Sequence, residues 1–308
     1  MRYIIRRILL SVFTLFAIVT VTFFLMHLVP GGPFAGSKQL PPTVLHNLEA
    51  KYGLNRPLII QYGDYLKALC HGDLGVSVKQ QGRSVSELIL SCFPVSAGLG
   101  FAAMVFAIVI GTALGVLSAR RNGQSLDRFV RVLATIGTSI PSFVLATVTL
   151  ILFGVMLRWV PTYGLDTPQS YILPAFSLSL FPLSFIARLM RSSMLEVIGS
   201  DYIRAARAKG IRESRIILVH AMKNAVLPVV TYIGNLAAGI LTGSFVIEKI
   251  FSIPGLGSAF VESVQNRDYP LIMGTTVFYG ALLMAAYLIV DFLYLAIDPR
   301  IKLSRQGD

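Results

Sequence analysis

Six long runs without a charged residue limit what this chain can fold into. Each run has 21 to 27 residues, and a helix needs about 20 apolar residues to cross a bilayer. The chain is 55% hydrophobic and only 14% charged, whereas soluble domains carry roughly 25% charged residues. We therefore predict an all-α integral membrane protein with six transmembrane helices. The runs are residues 8–29, 93–119, 132–157, 167–187, 224–247 and 269–290.

The positions of the basic residues predict the orientation of these helices. If the N-terminus is cytoplasmic, 18 of the 27 Lys and Arg residues lie in cytoplasmic segments, as the positive-inside rule requires. We therefore predict that both termini are cytoplasmic. The net charge of +12 then indicates membrane topology and attraction to anionic membrane lipid, and it does not indicate binding of nucleic acid.

The runs divide the chain into two parts of unequal size. Residues 1–92 contain the first transmembrane helix and the one large external segment, in which residues 44–52 and 58–69 have the periodicity of short amphipathic helices. Residues 93–308 contain five helices and a basic cytoplasmic loop, 188–223. The external segment is either a docking surface for an external partner or a lid that stabilises the bundle. Cys70 and Cys92 fall on the outer side, where a disulfide can form.

Small residues in the second and fifth runs predict close helix packing. Glycines four residues apart allow two helix backbones to approach each other, and both Gly111/Gly115 and Gly239/Gly243 have this spacing. The fourth run contains three prolines, so we expect it to pack among the other helices and not to face lipid.

Proline interrupts the third run as well. Pro141 removes a backbone donor, and we expect hydroxyl groups of neighbouring serines to satisfy the groups that it frees. Such a kink either lines a substrate path or is purely structural. The candidate path residues, on the third and fifth runs, are Ser139, Pro141, Ser142, Asn235 and Thr242.

The sequence lacks the residue patterns of an enzyme. It has no metal-ligand cluster, no nucleophile constellation and no phosphate-binding glycine-rich motif. Asp291, directly after the sixth run and near the inner end of the predicted sixth span, is the one acidic residue within a predicted span, and proton-coupled carriers usually need intramembrane carboxylates or His pairs. A self-sufficient secondary transporter remains the alternative to a transporter that is driven by a separate ATPase.

A short helix is predicted in the cytoplasmic loop between the fourth and fifth runs. Ser200 or Asp201 can accept a hydrogen bond from a free amide at its start, and Gly210 allows a left-handed stop. Tyr202, Ala205, Ala206 and Lys209 share one helical face by their spacing. We predict that another protein contacts this face.

The stretch Ala205-Ala206-x-x-x-Gly210 resembles the EAA motif of permease subunits of binding-protein-dependent ABC importers. Arg204 stands where the motif has Glu, and the later Leu-Pro pair falls at Leu227 and Pro228. The resemblance extends along the chain to the B-type permeases of the peptide/nickel importer family, and most closely to its oligopeptide branch. Its other stretches are 29–34, 72–75, 202–210, 220–228, 248–257 and 266–269.

This resemblance implies a type I ABC importer permease fold in a bacterial inner membrane. It implies a heterodimer with a second homologous permease, two ATP-binding subunits and an external substrate-binding protein. The chain itself binds no cofactor, while ATP and Mg²⁺ belong to the ATPase subunits. ATP binding would draw the coupling helices together and turn the pore outward. The implied ATPase-coupling residues are Asp201, Tyr202, Arg204, Ala205, Ala206, Lys209 and Gly210.

The resemblance implies peptide uptake, with oligopeptides as the expected substrates. A path without charged residues suits peptides of varied side chains, because fixed charges would select among them. Dipeptides, glutathione and nickel remain alternatives within the family. Nickel is the least favoured, since the sequence has no His or carboxylate cluster to bind it.

Overall fold

The computed structural model describes residues 2–30, 32–34, 41–80, 82–165, 167–240 and 244–297. Within these ranges the regular secondary structure is helical, apart from an isolated bridge between Val76 and Ser84. The helices are α1 (Arg2–Leu28), α2 (Pro42–Lys51), α3 (Leu58–Cys70), α4 (Val85–Arg120), α5 (Ser125–Ser139), α6 (Ser142–Thr149), α7 (Ile172–Ile198), α8 (Asp201–Ala208), α9 (Glu213–Arg215), α10 (Met222–Ala225), α11 (Leu227–Ile240), α12 (Phe245–Ile250), α13 (Leu256–Asn266) and α14 (Tyr269–Ile297).

Three tighter or wider turns extend these helices. A π-helical turn, Leu150–Met156, continues α6, and a second, Ile216–Ala221, joins α9 to α10. A 3₁₀ turn, Pro168–Tyr171, leads into α7.

The helices supply four candidate membrane spans, or up to the six that the sequence predicts. Four are long and apolar enough to cross a membrane: Ile5–Leu28, Val85–Arg120, Pro168–Ile198 and Tyr269–Phe292. Two bent pairs supply the others, if each pair is one span: Ser125–Ser139 with Ser142–Met156, and Glu213–Ala225 with Leu227–Gly234. The all-α membrane fold is therefore confirmed.

The chain forms two compact units. One comprises Met1–Val95 and Pro254–Ala285, and the other comprises Ser96–Ile253 and Ala286–Asp308. This division differs from the predicted one near residue 92, because residues 254–285 pack with the N-terminal part. Val19, Phe23 and Met26 of α1, for example, form one buried cluster with Ile272, Met273 and Val277 of α14.

The first unit contains the segment after α1 that the sequence predicts to be external. Both predicted amphipathic helices are present as α2 and α3. Ser84 and Glu87 form a reciprocal cap at the start of α4, with the Glu87 amide 3.1 Å from Ser84 Oγ and the Ser84 amide 3.2 Å from Glu87 Oε2. Cys70 and Cys92 are both free thiols.

The second unit is built around α7. More than half of the apolar window of this helix is buried, the largest share among the four long helices, so the prediction that it packs among the others is confirmed. Three of its serines, Ser177, Ser179 and Ser184, are fully buried. A buried apolar cluster joins α7 to α4, to α8 and to the π-helical turn Ile216–Ala221.

Glycines set the close approach of α4 and α5 to α7. A Cβ at Gly111 would lie 2.7 Å from the Leu183 carbonyl oxygen, and a Cβ at Gly115 would lie 2.7 Å from that of Ala187. The first glycine pair therefore packs as predicted. For the second pair, a Cβ built at Gly239 has no neighbour within 4 Å among the described residues, and Gly243 lies outside them.

The third span is broken and not merely kinked. α5 and α6 meet at an angle of 105°, and the connection between them is Ile140-Pro141. We expected the hydroxyls of Ser139 and Ser142 to satisfy the backbone groups that Pro141 frees. This expectation is wrong, because neither hydroxyl has a hydrogen-bond partner in the described part of the chain. The Pro141 carbonyl instead accepts from the amides of Val144 at 3.0 Å and Leu145 at 3.2 Å. Pro141 thereby begins a new helix in a new direction.

Candidate functional site

The predicted short helix between the fourth and fifth spans is present as α8. Its eight residues make a rod of about 12 Å, and Gly210 follows it with φ +75°, as predicted for its stop. The start of the helix differs from the prediction, since no side chain caps it. The Ser200 hydroxyl donates backwards to the Val197 carbonyl at 2.6 Å, and so it joins α8 to the end of α7.

One face of α8 is packed against its own chain. Ile203 is 0% exposed and Ala206 is 9% exposed, and both lie in the apolar cluster with Ile216 and Ile217. The prediction that Ala206 belongs to the outward face is therefore wrong. Its small side chain serves the close seating of α8 on the π-helical turn.

The other face of α8 is open. Of the predicted coupling residues, Asp201, Tyr202, Arg204, Ala205, Lys209 and Gly210 are exposed. Tyr202, Ala205 and Lys209 lie at helical spacing and form a surface that we call the coupling face. A small alanine between a tyrosine and a lysine allows a partner to approach the helix backbone at this point.

Two charged pairs involve α8, and only the second of them joins it firmly to the loop that follows. Arg204 lies 2.9 Å from Asp201, but both side chains are more than two-thirds exposed, so this pair adds little to stability. Arg207 binds Glu213 through two nitrogens, at 3.1 and 2.8 Å. These bonds raise the pKa of the Arg207 guanidinium, and they close the loop after α8.

A residue that the sequence did not single out orients the coupling face. The side-chain amide of Asn224 donates to the Tyr202 hydroxyl at 2.8 Å. Asn224 lies in α10, just before the 44° bend into α11. The Leu-Pro pair of the family resemblance, Leu227 and Pro228, begins the helix beyond this bend.

The structure brings together only part of the predicted substrate path. Ser139 and Pro141 are exposed and Ser142 is half-buried at the break between α5 and α6. Asn235 lies on α11, and Thr242 lies outside the described residues. Within the described part of the chain, no group of three or more His, Cys, Asp or Glu residues is placed to hold a metal ion.

Two buried carboxylates were missed by sequence reasoning. Asp127 is fully buried, and Arg191 binds it through two nitrogens at 2.6 and 3.0 Å. Glu248 is also fully buried and accepts from the Ser96 hydroxyl at 2.7 Å. Both partners are distant in sequence, so no local pattern could have identified them.

Comparison with known families decides the class of the protein. Residues 111–303 match the family described as binding-protein-dependent transport system inner membrane component. Residues 1–100 match the N-terminal family of the same membrane components. The chain belongs to this family of binding-protein-dependent transport permeases. It is accordingly a multi-pass inner membrane transport subunit.

Relatives of this permease cover it almost completely. The dipeptide transport system permease protein DppB of Bacillus subtilis is 47% identical over 306 residues, which is 99% of each chain. The oligopeptide transport system permease protein OppB of Escherichia coli K12 is 47% identical over 304 residues, covering 98% of this chain and 99% of the relative.

Solved structures show the same fold for the permease core. A chain of the MetNI methionine ABC transporter in an inward-facing conformation has a TM-score of 0.52 at 22% identity, and the match covers 68% of this permease and 97% of that chain. A second inward-facing MetNI crystal form gives a TM-score of 0.54 at 21% identity. The type I ABC importer permease fold is therefore confirmed.

The left-handed stop after α8 gives a testable prediction. A Cβ at Gly210 meets no atom within 4 Å, so a substitution acts only through the backbone. We expect Gly210→Val to cost about 1–2 kcal/mol because a β-branched residue is strained at positive φ. Relief of this strain would move the end of α8. Gly210→Asn, which tolerates this conformation, is the matched control. Thermal unfolding of both variants, with equal melting temperatures as the contradicting result, tests the prediction.

Proposed function

We propose that this chain is a pore-forming subunit of an ATP-driven peptide importer. In this role it translocates peptides that an external binding protein delivers. Relatives that are 47% identical over nearly the whole chain are named as dipeptide and oligopeptide transport permeases, which supports a peptide as the substrate. The chain supplies the pore, and separate subunits hydrolyse ATP with Mg²⁺.

The coupling face of α8 is the observation that carries this proposal. α8 is a short helix with one side seated in the apolar core and the other side open. A helix of about 12 Å cannot span a bilayer, and its exposed Tyr202, Ala205 and Lys209 form a compact surface for a protein partner. The partner that fits the proposal is an ATPase subunit, with a second permease and a second ATPase completing the transporter.

The proposed mechanism is a rigid-body switch between two states. When ATP binding closes the ATPase pair, each ATPase moves the α8 helix that it holds. The permease pair then opens outward, and the binding protein releases its peptide into the pore. Hydrolysis of ATP returns the pore to the inward-facing state. This scheme places α8, and with it both chain termini, on the cytoplasmic side.

Reconstitution tests the proposal directly. Proteoliposomes would contain this chain, the second permease and both ATPase subunits, with the binding protein outside and a radiolabelled tripeptide as the probe. We expect uptake only with ATP inside the vesicles, and competition by unlabelled dipeptides and longer peptides would rank the substrates. Proton-driven uptake by this chain alone would overturn the proposal in favour of a secondary transporter.

A further inference from the structure

One enclosed carboxylate collects hydrogen bonds from several segments of the second unit. Asp127 lies in the first turn of α5, and its side chain is 1% exposed. Arg191 donates to its two oxygens at 2.6 and 3.0 Å. The Ser118 hydroxyl donates at 2.6 Å and the Gly123 amide at 2.9 Å. Arg131, the remaining cation at this carboxylate, lies 3.6 Å away.

These bonds connect parts of the chain that are separate in sequence. Ser118 belongs to the last turns of α4, Gly123 to the connection between α4 and α5, and Arg191 to α7. A bidentate guanidinium–carboxylate pair fixes both distance and orientation, which apolar packing alone does not. A buried ion pair is a poor argument for stability. The property that it adds here is a defined position of α7 relative to α5.

A second pair of bonds supports the same contact. Arg188, one turn before Arg191 on α7, donates to Thr138 Oγ1 at 3.0 Å and to the Ala134 carbonyl at 3.4 Å. α7 is therefore bonded to α5 near both ends of α5. The close glycine contacts with α4 leave α7 little room to slide independently.

The two connections of α8 to the rest of the chain differ in length and in helical regularity. On its N-terminal side, α8 follows α7 after only Gly199 and Ser200. On its C-terminal side, the chain passes through the π-helical turn Ile216–Ala221 and then bends by 44° before α11. π-Helical turns interrupt the regular ladder of a helix and often lie at functional sites. The shortest connection from α8 to the Asp127 site is therefore the one through α7.

We propose that Asp127 is a positioning residue that makes α8, α7 and the joined ends of α4 and α5 move as one body. The proposal rests on the proposed function, in which α8 receives the movement of an ATPase subunit. Displacement of α8 then passes along α7 and through Arg191 and Asp127 to α4 and α5. Without the carboxylate charge, Arg191 keeps its bond to Asn122, at 3.0 Å, but loses the paired contact that fixes α7.

Transport coupling is the first test. The full reconstituted transporter would carry Asp127→Asn, which keeps the size of the side chain and removes its charge. We expect the ratio of ATP hydrolysis with loaded binding protein to hydrolysis without it to fall by about fivefold or more. Glu196→Gln is the matched control, since it removes an exposed carboxylate near the end of α7 and leaves the bonds of Asp127 in place. The control should keep the wild-type ratio, and an unchanged ratio in Asp127→Asn would overturn the proposal.

A distance measurement tests the single-body movement without depending on the stability of a variant. Spin labels at Arg121→Cys, in the α4–α5 connection, and at Glu196→Cys, near the end of α7, would be placed in a chain with Cys70 and Cys92 changed to Ser. We expect one narrow distance distribution that is the same without nucleotide and with ATP trapped. A change in that distance between the two states would overturn the proposal.

Two variants of the spin-labelled chain then test whether the Asp127–Arg191 pair is what keeps the distance fixed. Asp127→Asn should broaden the distribution, and Arg191→Lys, which keeps the charge but not the paired contact, should broaden it less. A distribution that stays narrow in both variants would assign Asp127 a purely stabilising role. Failure of the proposed function is distinct, because then the unmodified complex would show no ATP-driven uptake.

Discussion

Replacing Ala205 with tryptophan should abolish ATP-driven uptake while leaving the permease folded. Ala205 is exposed at the centre of the coupling face, where an indole would keep the proposed ATPase partner from reaching the helix. Loss of a central interface contact costs about 2 kcal/mol or more, and 1.4 kcal/mol corresponds to about tenfold in affinity. We therefore expect uptake in proteoliposomes to fall by at least about tenfold.

Two further alanine variants separate a docking defect from a folding defect. Ala205→Ser keeps the small side chain and should transport normally. Ala206→Trp forces a large ring into the contact between α8 and the π-helical turn, where Ala206 is 9% exposed. It should lower the melting temperature, whereas Ala205→Trp should not. Normal uptake by Ala205→Trp would show that this face does not meet the ATPase.

A single methyl group at Gly115 should cause a large loss of stability. A Cβ there would lie 2.6 Å from the Met190 Cβ and 2.7 Å from the Ala187 carbonyl oxygen. One of these neighbours is backbone, so α4 and α7 must separate to admit it. Overpacking of this kind costs about 1–3 kcal/mol. We expect Gly115→Ala to lower the melting temperature of the purified transporter and the amount of permease in the membrane.

The same helix offers a control for this prediction. Gly98 is also in α4, and a Cβ there meets no atom within 4 Å. Gly98→Ala should leave the melting temperature unchanged or raise it, because alanine is favoured over glycine in a helix by about 0.5–1 kcal/mol. Equal melting temperatures for the two variants would show that the α4–α7 contact is looser than the structure indicates.

The spans were predictable because lipid imposes a strict requirement. A backbone without water must bond to itself, so an uncharged run of sufficient length becomes a helix. The outward face of α8 was only partly predictable. Spacing places Tyr202, Ala205, Ala206 and Lys209 on one side, but it does not say where the rest of the chain covers that side. Packing against Ile216 and Ile217 buries Ala206, and that contact is tertiary.

Contacts between distant residues were beyond the reach of the sequence. Asp127 and Arg191 are 64 positions apart, and each alone looks like an ordinary charge in a basic loop. Pro141 predicted an interruption of the third span, but the bend of 105° depends on how α5 and α6 pack on α7. Local patterns thus specify the elements of this permease, and the bonds that fix its movable parts arise only after folding.

The burial of α7 bears on how the protein is made. Its span is the least apolar of the four long helices, and its buried serine hydroxyls are poorly suited to contact with lipid acyl chains. We therefore expect this segment to insert into the bilayer inefficiently on its own during synthesis. It should leave the insertion machinery when it can pack against α4, which covers its serine hydroxyls. Because α7 follows α4 in the sequence, α4 is synthesised first and is available for this packing.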